Sequence, residues 1–429
     1  MIKQFSLPYG DSMLQLSLED SSLLGVMESR PFAEVREEKE LVREVIQNPI
    51  DSRPLAELVQ KDEETVVVVG DMTRLWVRNH VFLPVILDEL NKGGIPDKEI
   101  IIVSATGDHR PQTYSEHRLL VGDEVFERVG AIMDHKAQEK EQMMYLGTTT
   151  RGTRVEINRV VAEAQNLVIT GGIVYHFLAG WGGGKKAILP GASGVETIMQ
   201  NHSLAFLKKP QRGLNPDVRA GKLKGNPCSE DMVEGALMAK PTFCLNVIVD
   251  EDRQRIAAVV AGEMVSAHEE GCRLVEEHCQ VPVKEKADLV VASCGGYPKD
   301  IDFYQTYKTI YNARRAVKKG GSMIIISESR EGMGNPSFAA MFAEFPDNLS
   351  REASLREKYT IGGHMAYHTS VIAEECQLII LSSLPNDEVK KGSMIPVDSL
   401  DQALDLVREK HGRIPPAYIM PQGGTTFPQ

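Results

Sequence analysis

Thr65-Val-Val-Val-Val-Gly70 is a continuous β-branched run that delivers Asp71-Met-Thr-Arg74 to the segment after it. A run without polar alternation reads as a strand buried on both faces, the kind found in parallel sheets. A helical segment over about 81–91 follows, and a second such run, Glu99-Ile-Ile-Ile-Val-Ser104, ends in Ala105-Thr-Gly-Asp-His-Arg-Pro-Gln-Thr113. A third, Leu167-Val-Ile-Thr170, runs into Gly171-Gly172. Strand, polar loop and helix thus recur, and ligands of parallel α/β sheets bind at the carboxyl ends of the strands. The expected fold is α/β, with two α/β domains of largely parallel sheet and a cleft between them.

Outward from that core, Leu14-Gln-Leu-Ser-Leu18 and the charged stretch Glu34 to Arg43 read as strands followed by a helix. Ser193-Gly-Val-Glu196 matches a capping box and predicts a helix start, with Asn201-His202 closing that helix or lying just past it. Residues 211–230, rich in Gly, Pro, Asn and Lys, read as a long surface loop able to act as a lid. Phe243 to Val249 and Ala257 to Val260 predict a hairpin, and Glu263 to Cys279 a helix. A second α/β unit opens at Ala287-Asp-Leu-Val-Val-Ala-Ser293, continues through a helix carrying Tyr304, Gln305 and Lys308, and gains strands at Met323 to Ser327 and Gln377 to Leu381. The tail from Pro415 reads as loop. The expected division is an N-terminal cofactor-binding and catalytic domain, 1–270, and a C-terminal domain, 271–429, closing over the cleft.

Composition narrows the function classes. With 429 residues, 42% hydrophobic and 25% charged, the chain is long enough for more than one globular core. A net charge of −12 opposes binding to nucleic acid or anionic membrane. No stretch has the length and apolarity of a signal peptide or a membrane span, and the six cysteines form no Cys-x-x-Cys pair, so a cytoplasmic location is expected. A homo-oligomer is compatible with all of this.

Chemistry concentrates in His176-Phe-Leu-Ala-Gly-Trp-Gly-Gly-Gly-Lys-Lys-Ala-Ile-Leu-Pro-Gly191. Glycines such as Gly183 and Gly184 let a ligand approach main chain closely. A P-loop fails twice, because Ala179 stands where its first glycine belongs and Lys186 where its hydroxyl belongs; Lys185 replaces the third glycine of a dinucleotide fingerprint. A lysine held in a tight pocket can instead link covalently to a cofactor or substrate, the plainer alternative being solvated lysines beside a turn. Asp71, Arg74, His109, Arg110, His176, Lys185 and Lys186 would converge on one cleft if the three strands are neighbours. None of the histidines His109, His176 and His202 shows a His-x-x-x-His spacing, and His364 is read as lying in a glycine-flanked loop. Tyr304 and Lys308 share a helix face and could hold a carboxylate, or form a surface pair with no ligand.

These residues resemble the nickel-pincer-nucleotide-dependent lactate racemase family. The likeness is carried by Asp71-Met-Thr-Arg74, Thr106-Gly-Asp-His-Arg-Pro111, His176 through Gly191, Asn201-His202 and Tyr304-Gln-x-x-Lys308. The resemblance implies nickel and a pyridinium-3,5-bis-thiocarboxylic acid mononucleotide, linked covalently through Lys186, with His202 as a metal ligand and Lys185, Gly183, Gly184, Asp71 and Arg74 around the cofactor. Sulfur and imidazole donors suit square-planar nickel. It further implies racemisation of a 2-hydroxy acid by hydride transfer through a 2-keto acid, with His109 and His176 as acid/bases. Tyr304, Gln305, Lys308 and Arg74 would bind the substrate, and cofactor-synthesis proteins would be partners. Departures at Gly182 and Lys185, and the absence of a tryptophan near Gly362-Gly-His-Met-Ala-Tyr-His368, leave the particular 2-hydroxy acid open. A 2-hydroxy acid dehydrogenase, or a non-catalytic small-anion or cofactor-binding protein, are the alternatives.

Overall fold

The computed structural model describes residues 1–29, 36–250 and 253–429. The chain divides into two compact units, Pro31–His278 and a second made of Met1–Arg30 with Cys279–Gln429.

In the first unit a six-stranded sheet runs in the order Arg255–Gly262, Phe243–Asp250, Asn166–Gly172, Thr65–Gly70, Ile100–Ala105, Ala131–Asp134. Every pairing is parallel except the edge hairpin of Phe243–Asp250 with Arg255–Gly262. The β-branched run Thr65–Gly70 lies inside the sheet because both of its faces find apolar partners. Val67 and Val69 join Phe82 and Ile86 of the helix Asn79–Lys92 in one core cluster. Val66 and Val68 join Ile157, Ile169 and Ile188 in the other. Register pairs Gly70 with Ala105. The strand ends carrying Asp71 and Thr106 therefore leave the sheet side by side.

In the second unit six parallel strands are ordered Ile395–Val397, Gln377–Leu381, Val317–Ile326, Ala287–Ser293, Ala417–Met420, Leu23–Val26. Leu7, Leu16 and Leu18 of the hairpin Ile2–Tyr9 with Ser12–Glu19 pack into the same core as Leu289, Ile324 and Ile419. This corrects the boundary 1–270/271–429: the first residues complete the edge and core of the C-terminal sheet, a pairing across nearly the whole chain that no local pattern announces.

Other local expectations also change. The tail is not loop, since Ala417–Met420 is an interior strand with all four residues buried. His364 is buried within the helix Ile361–Glu375 rather than in a loop. The capping box at Ser193 does not form. The helix Val195–Ser203 begins after Gly194 without a side-chain cap, and Ser193 Oγ donates instead to Ile188 O at 2.7 Å. The helix Pro227–Met238 takes the end of the expected 211–230 loop, capped by Asn226. The expected hairpin and the helix Met264–Cys279 are present; residues 251 and 252 of the hairpin turn, and 34 and 35 of the expected charged helix, lie outside the described residues. No helix among the described residues is long and apolar enough to cross a membrane.

Candidate active site

The Thr65–Gly70 strand delivers Asp71 to a 3-10 helix, Met72–Val77. Asp71 is 4% exposed, and its Oδ2 lies 2.5 Å from His109 Nδ1 in the neighbouring strand-end loop. Its Oδ1 accepts from Thr73 Oγ1 at 2.6 Å, and Arg74 Nη1 donates to that same Thr73 hydroxyl at 2.9 Å. Burial by itself would raise the carboxyl's proton affinity; the hydrogen bonds from His109 and Thr73, with the charges of His109 and Arg74, outweigh it and hold Asp71 below the usual carboxylate range.

Gln112, which the sequence did not single out, ties the strand ends together. Its Oε1 accepts from Met72 N at 2.7 Å, and its Nε2 donates to Ser104 Oγ at 2.7 Å and Asp134 Oδ1 at 2.8 Å. Asp134 Oδ2 accepts from Gln112 N at 2.7 Å, and its Oδ1 meets His117 Nε2 at 2.8 Å. The polar run after Arg110 was the available signal, but its partners come from two strands and the 3-10 helix after a third. Arg110 itself turns outward to pair with Glu116.

The third strand, Asn166–Gly172, feeds the glycine stretch, where Tyr175–His176 pairs antiparallel with Gly180–Trp181. Gly107 N donates to Gly191 O at 2.9 Å, which holds the far end of this stretch against the His109 loop. His176 Nδ1 accepts main-chain N–H groups from Leu178 and Ala179, each at 3.2 Å. Gly183 and Gly184 have φ of +73° and +51°. A Cβ on Gly183 would sit 2.5 Å from Asn246 Oδ1, the atom that accepts Gly184 N at 2.9 Å, so the loop follows a path closed to other residues.

The adjacent lysines of the turn Gly184–Ala187 have different surroundings. Lys186 is half-buried, and burial together with the charges of Arg74 and Lys185 pushes its proton affinity well below the ordinary value. Burial and Lys186 push His202, in the last turn of Val195–Ser203, down to about 3. Burial, Lys186, His202 and Arg74 act in the same direction on His176. Lys185, 1% exposed, instead neighbours Cys272 and Glu269, and with His268 and Met264 it lines a cavity of about 290 Å³. Asn201, beside His202, donates to Cys228 O at 3.1 Å and Asp231 Oδ2 at 2.8 Å, fixing the His202 helix against Pro227–Met238.

Arg74, His176, Lys186 and His202 thus lie close together next to main chain that a ligand can approach, and the charges of Arg74 and Lys186 add to burial in disfavouring protonation of their neighbours. An anionic ligand relieves that repulsion, which fits a nucleotide. The described residues contain no group of three or more His, Cys, Asp or Glu arranged to hold a metal. A metal here would have to bring most of its own donors, with imidazole as the protein's share, and this too fits a chelating nucleotide.

Of the remaining expected residues, Tyr304, Gln305 and Lys308 lie on the helix Phe303–Ala313 of the other unit. Tyr304 and Gln305 are half-buried and Lys308 is exposed. The Tyr304 ring meets Phe338 edge-on at 5.8 Å, and Asp302 caps the helix by accepting from Gln305 N at 2.7 Å.

Comparison with known proteins matches residues 9–215 to the lactate racemase N-terminal domain and 283–426 to the lactate racemase C-terminal domain. The lactate racemases of Thermoanaerobacterium thermosaccharolyticum and Lactiplantibacillus plantarum are each 31% identical to it, with 97% of both chains covered. The apoprotein structure of the T. thermosaccharolyticum lactate racemase superposes with a TM-score of 0.90 at 32% identity over the full length of both chains. A Thermotoga maritima protein shares the fold at 18% identity and a TM-score of 0.64, covering 92% of this chain and all of that one.

Proposed function

This chain belongs to the lactate racemase family, and on that premise we propose that it interconverts the enantiomers of lactate or a related 2-hydroxy acid with a nickel-pincer nucleotide as cofactor. The observation that carries the reading is the connected constellation His109, Asp71, Thr73 and Arg74, with Arg74 close enough to His176 and Lys186 to shift both, and Lys186 acting likewise on His202.

The chemistry explains why such a constellation is needed. Removing the Cα hydrogen of a 2-hydroxy carboxylate as a proton would place negative charge beside a carboxylate, whereas loss as hydride, with the hydroxyl giving up its proton, yields a planar 2-keto acid that can be re-formed from either face. The nickel nucleotide, when bound, supplies the hydride acceptor. Lys186 would carry the covalent link, because it is the lysine beside His176, His202 and Arg74; a depressed proton affinity leaves its amine free to attack an acyl carbon. His202 would be the metal's protein ligand. Gly183 and Gly184 would let the nucleotide approach main chain, and Arg74 would balance anionic charge. His109 and His176 handle the hydroxyl proton, and Tyr304, Gln305 and Lys308 are the carboxylate-binding candidates of the second unit. Cofactor-synthesis proteins are the required partners, and the reading places the protein in the cytoplasm.

The test is co-expression with the cofactor-synthesis proteins, followed by peptide mass spectrometry, metal analysis and chiral assay of lactate. A mononucleotide adduct on the peptide bearing Lys185 and Lys186, lost in Lys186→Ala and retained in Lys185→Ala, with nickel near one per chain and enantiomer exchange, is the expected result. Absence of adduct and nickel from a host that loads another family member refutes it.

A further inference from the structure

Lys185 has no place in the chemistry above. It shares the turn Gly184–Ala187 with Lys186, yet it lines the cavity of about 290 Å³ walled by the helices Pro227–Met238 and Met264–Cys279, and Lys186 does not. Its Nζ is buried with no hydrogen-bond partner among the described residues. A buried ammonium left without acceptors is costly, and the groups nearest to it do not supply any.

His268 is kept neutral by burial and by Lys185, and its Nε2 donates to Gly182 O at 2.8 Å. Burial holds the Cys272 thiol protonated up to about 12. Glu269 is exposed and acts on the amine without a hydrogen bond. Glu230, also in the wall, is spent on Gly225 N at 2.6 Å and on Arg151. Lys185 itself, pulled down to about 8, remains mostly an ammonium at neutral pH. The cavity therefore presents one buried cation without a counter-ion of its own.

The rest of the wall selects among anions. Leu223, Val233, Met264 and Val265 offer apolar surface, which rewards an alkyl body and gives nothing to a bare inorganic ion. A dianion such as phosphate would meet a single buried cation, with Glu230 and Glu269 nearby. The site is also preformed. The His268 bond to Gly182 O fixes the turn, and Asn226 caps the neighbouring helix through Ser229 N at 3.2 Å while donating to Leu178 O at 2.9 Å. We propose that this cavity binds a short-chain aliphatic monocarboxylate, with the carboxylate accepting from Lys185 Nζ and the alkyl body lying against Val233, Val265 and Met264. The site is separate from the Lys186 cluster, so the proposal stands or falls without the cofactor.

Titration of the full-length chain with butyrate at pH 7, read by ligand-observed 1H NMR and calorimetry, tests this without any assay of activity. Butyrate should bind saturably at about one per chain, and about fourfold more tightly than propionate, because one more methylene leaves water. Butylammonium has the same body and the opposite charge, and it should not bind. Lys185→Met should weaken butyrate by about tenfold or more. Val233→Trp, which fills the cavity and leaves the lysine in place, should also remove binding, whereas Lys186→Ala should retain it. The proposal is overturned if Lys185→Met binds butyrate as the wild type does, or if butylammonium binds equally well. Absence of saturable binding in the wild type, which would mean that water alone occupies the cavity, overturns it too. Loss in Lys186→Ala with retention in Lys185→Met would move the ligand to the Arg74, His176 and Lys186 cluster and likewise overturn it.

Discussion

Lys185→Met is the substitution whose energetics follow most directly from the structure. The Lys185 Nζ is buried without a hydrogen-bond partner, and burial, the largest influence, pulls its proton affinity from the ordinary 10.5 down to about 8 against smaller opposing effects of Cys272 and Glu269. Cys272 does not neutralise it, because burial keeps that thiol protonated up to about 12. Lowering a proton affinity from 10.5 to about 8 means that holding the charged form costs the folded state about 3 kcal/mol relative to the unfolded chain. The side chain is almost fully buried, so solvent screening removes little of this. The sign follows from proton counting. Between pH 8 and 10.5 the unfolded chain keeps a proton that the folded chain has released, so this contribution to stability rises with pH across that window and is fully unfavourable below it. Methionine has nearly the same length and no charge. Chemical denaturation at pH 6.5 should find the variant more stable by about 1–3 kcal/mol, and the gap should close by pH 10. A variant less stable at pH 6.5, or a gap that does not change with pH, would refute the reasoning.

Three further outcomes are expected. His135, 1% exposed, donates from Nε2 to Ser193 O at 2.9 Å, and burial pushes it down to about 4; His368, which meets Tyr307 Oη through Nδ1 at 2.9 Å, is likewise pushed down to about 4. The unfolded chain takes up protons at these positions that the folded chain refuses, so stability falls as pH drops from about 6.5 toward about 4, by about 3 kcal/mol for His135 alone; His135→Gln should flatten that slope in a denaturation series. Gly184→Ala sets a Cβ 2.7 Å from the His268 ring at φ of +51° and should cost about 1–3 kcal/mol. Gly152→Ala is the control, because Gly152 has φ of +92° but nothing within 4 Å, so its thermal shift should be the smaller of the two.

Much of the architecture was legible because it rests on local chemistry. A run such as Thr65–Gly70 can satisfy its side chains only inside a sheet covered on both faces, and that logic places Asp71, His109 and His176 at strand ends. The short strand Ala417–Met420 was missed because four apolar residues carry no periodicity of their own, and the Ser193 capping box failed because its hydroxyl found a main-chain acceptor closer by. Gln112 was invisible as a site residue because an amide in a polar loop looks the same whether it faces solvent or Asp134.

The sequence by itself determined the α/β class, the strand-end loops and the family motifs, since each depends on residue type and spacing within a few tens of positions. Tertiary structure alone decided that Leu23–Val26 completes the C-terminal sheet, that Lys186 faces His176 and His202 while its neighbour Lys185 faces Cys272, and that His109 Nδ1 meets a carboxylate while His176 Nδ1 meets main-chain N–H groups. The physical reason is common to all three. Consecutive residues in a tight turn point in different directions, and what a side chain meets, donor or acceptor, cation or apolar wall, is supplied by segments distant in the chain.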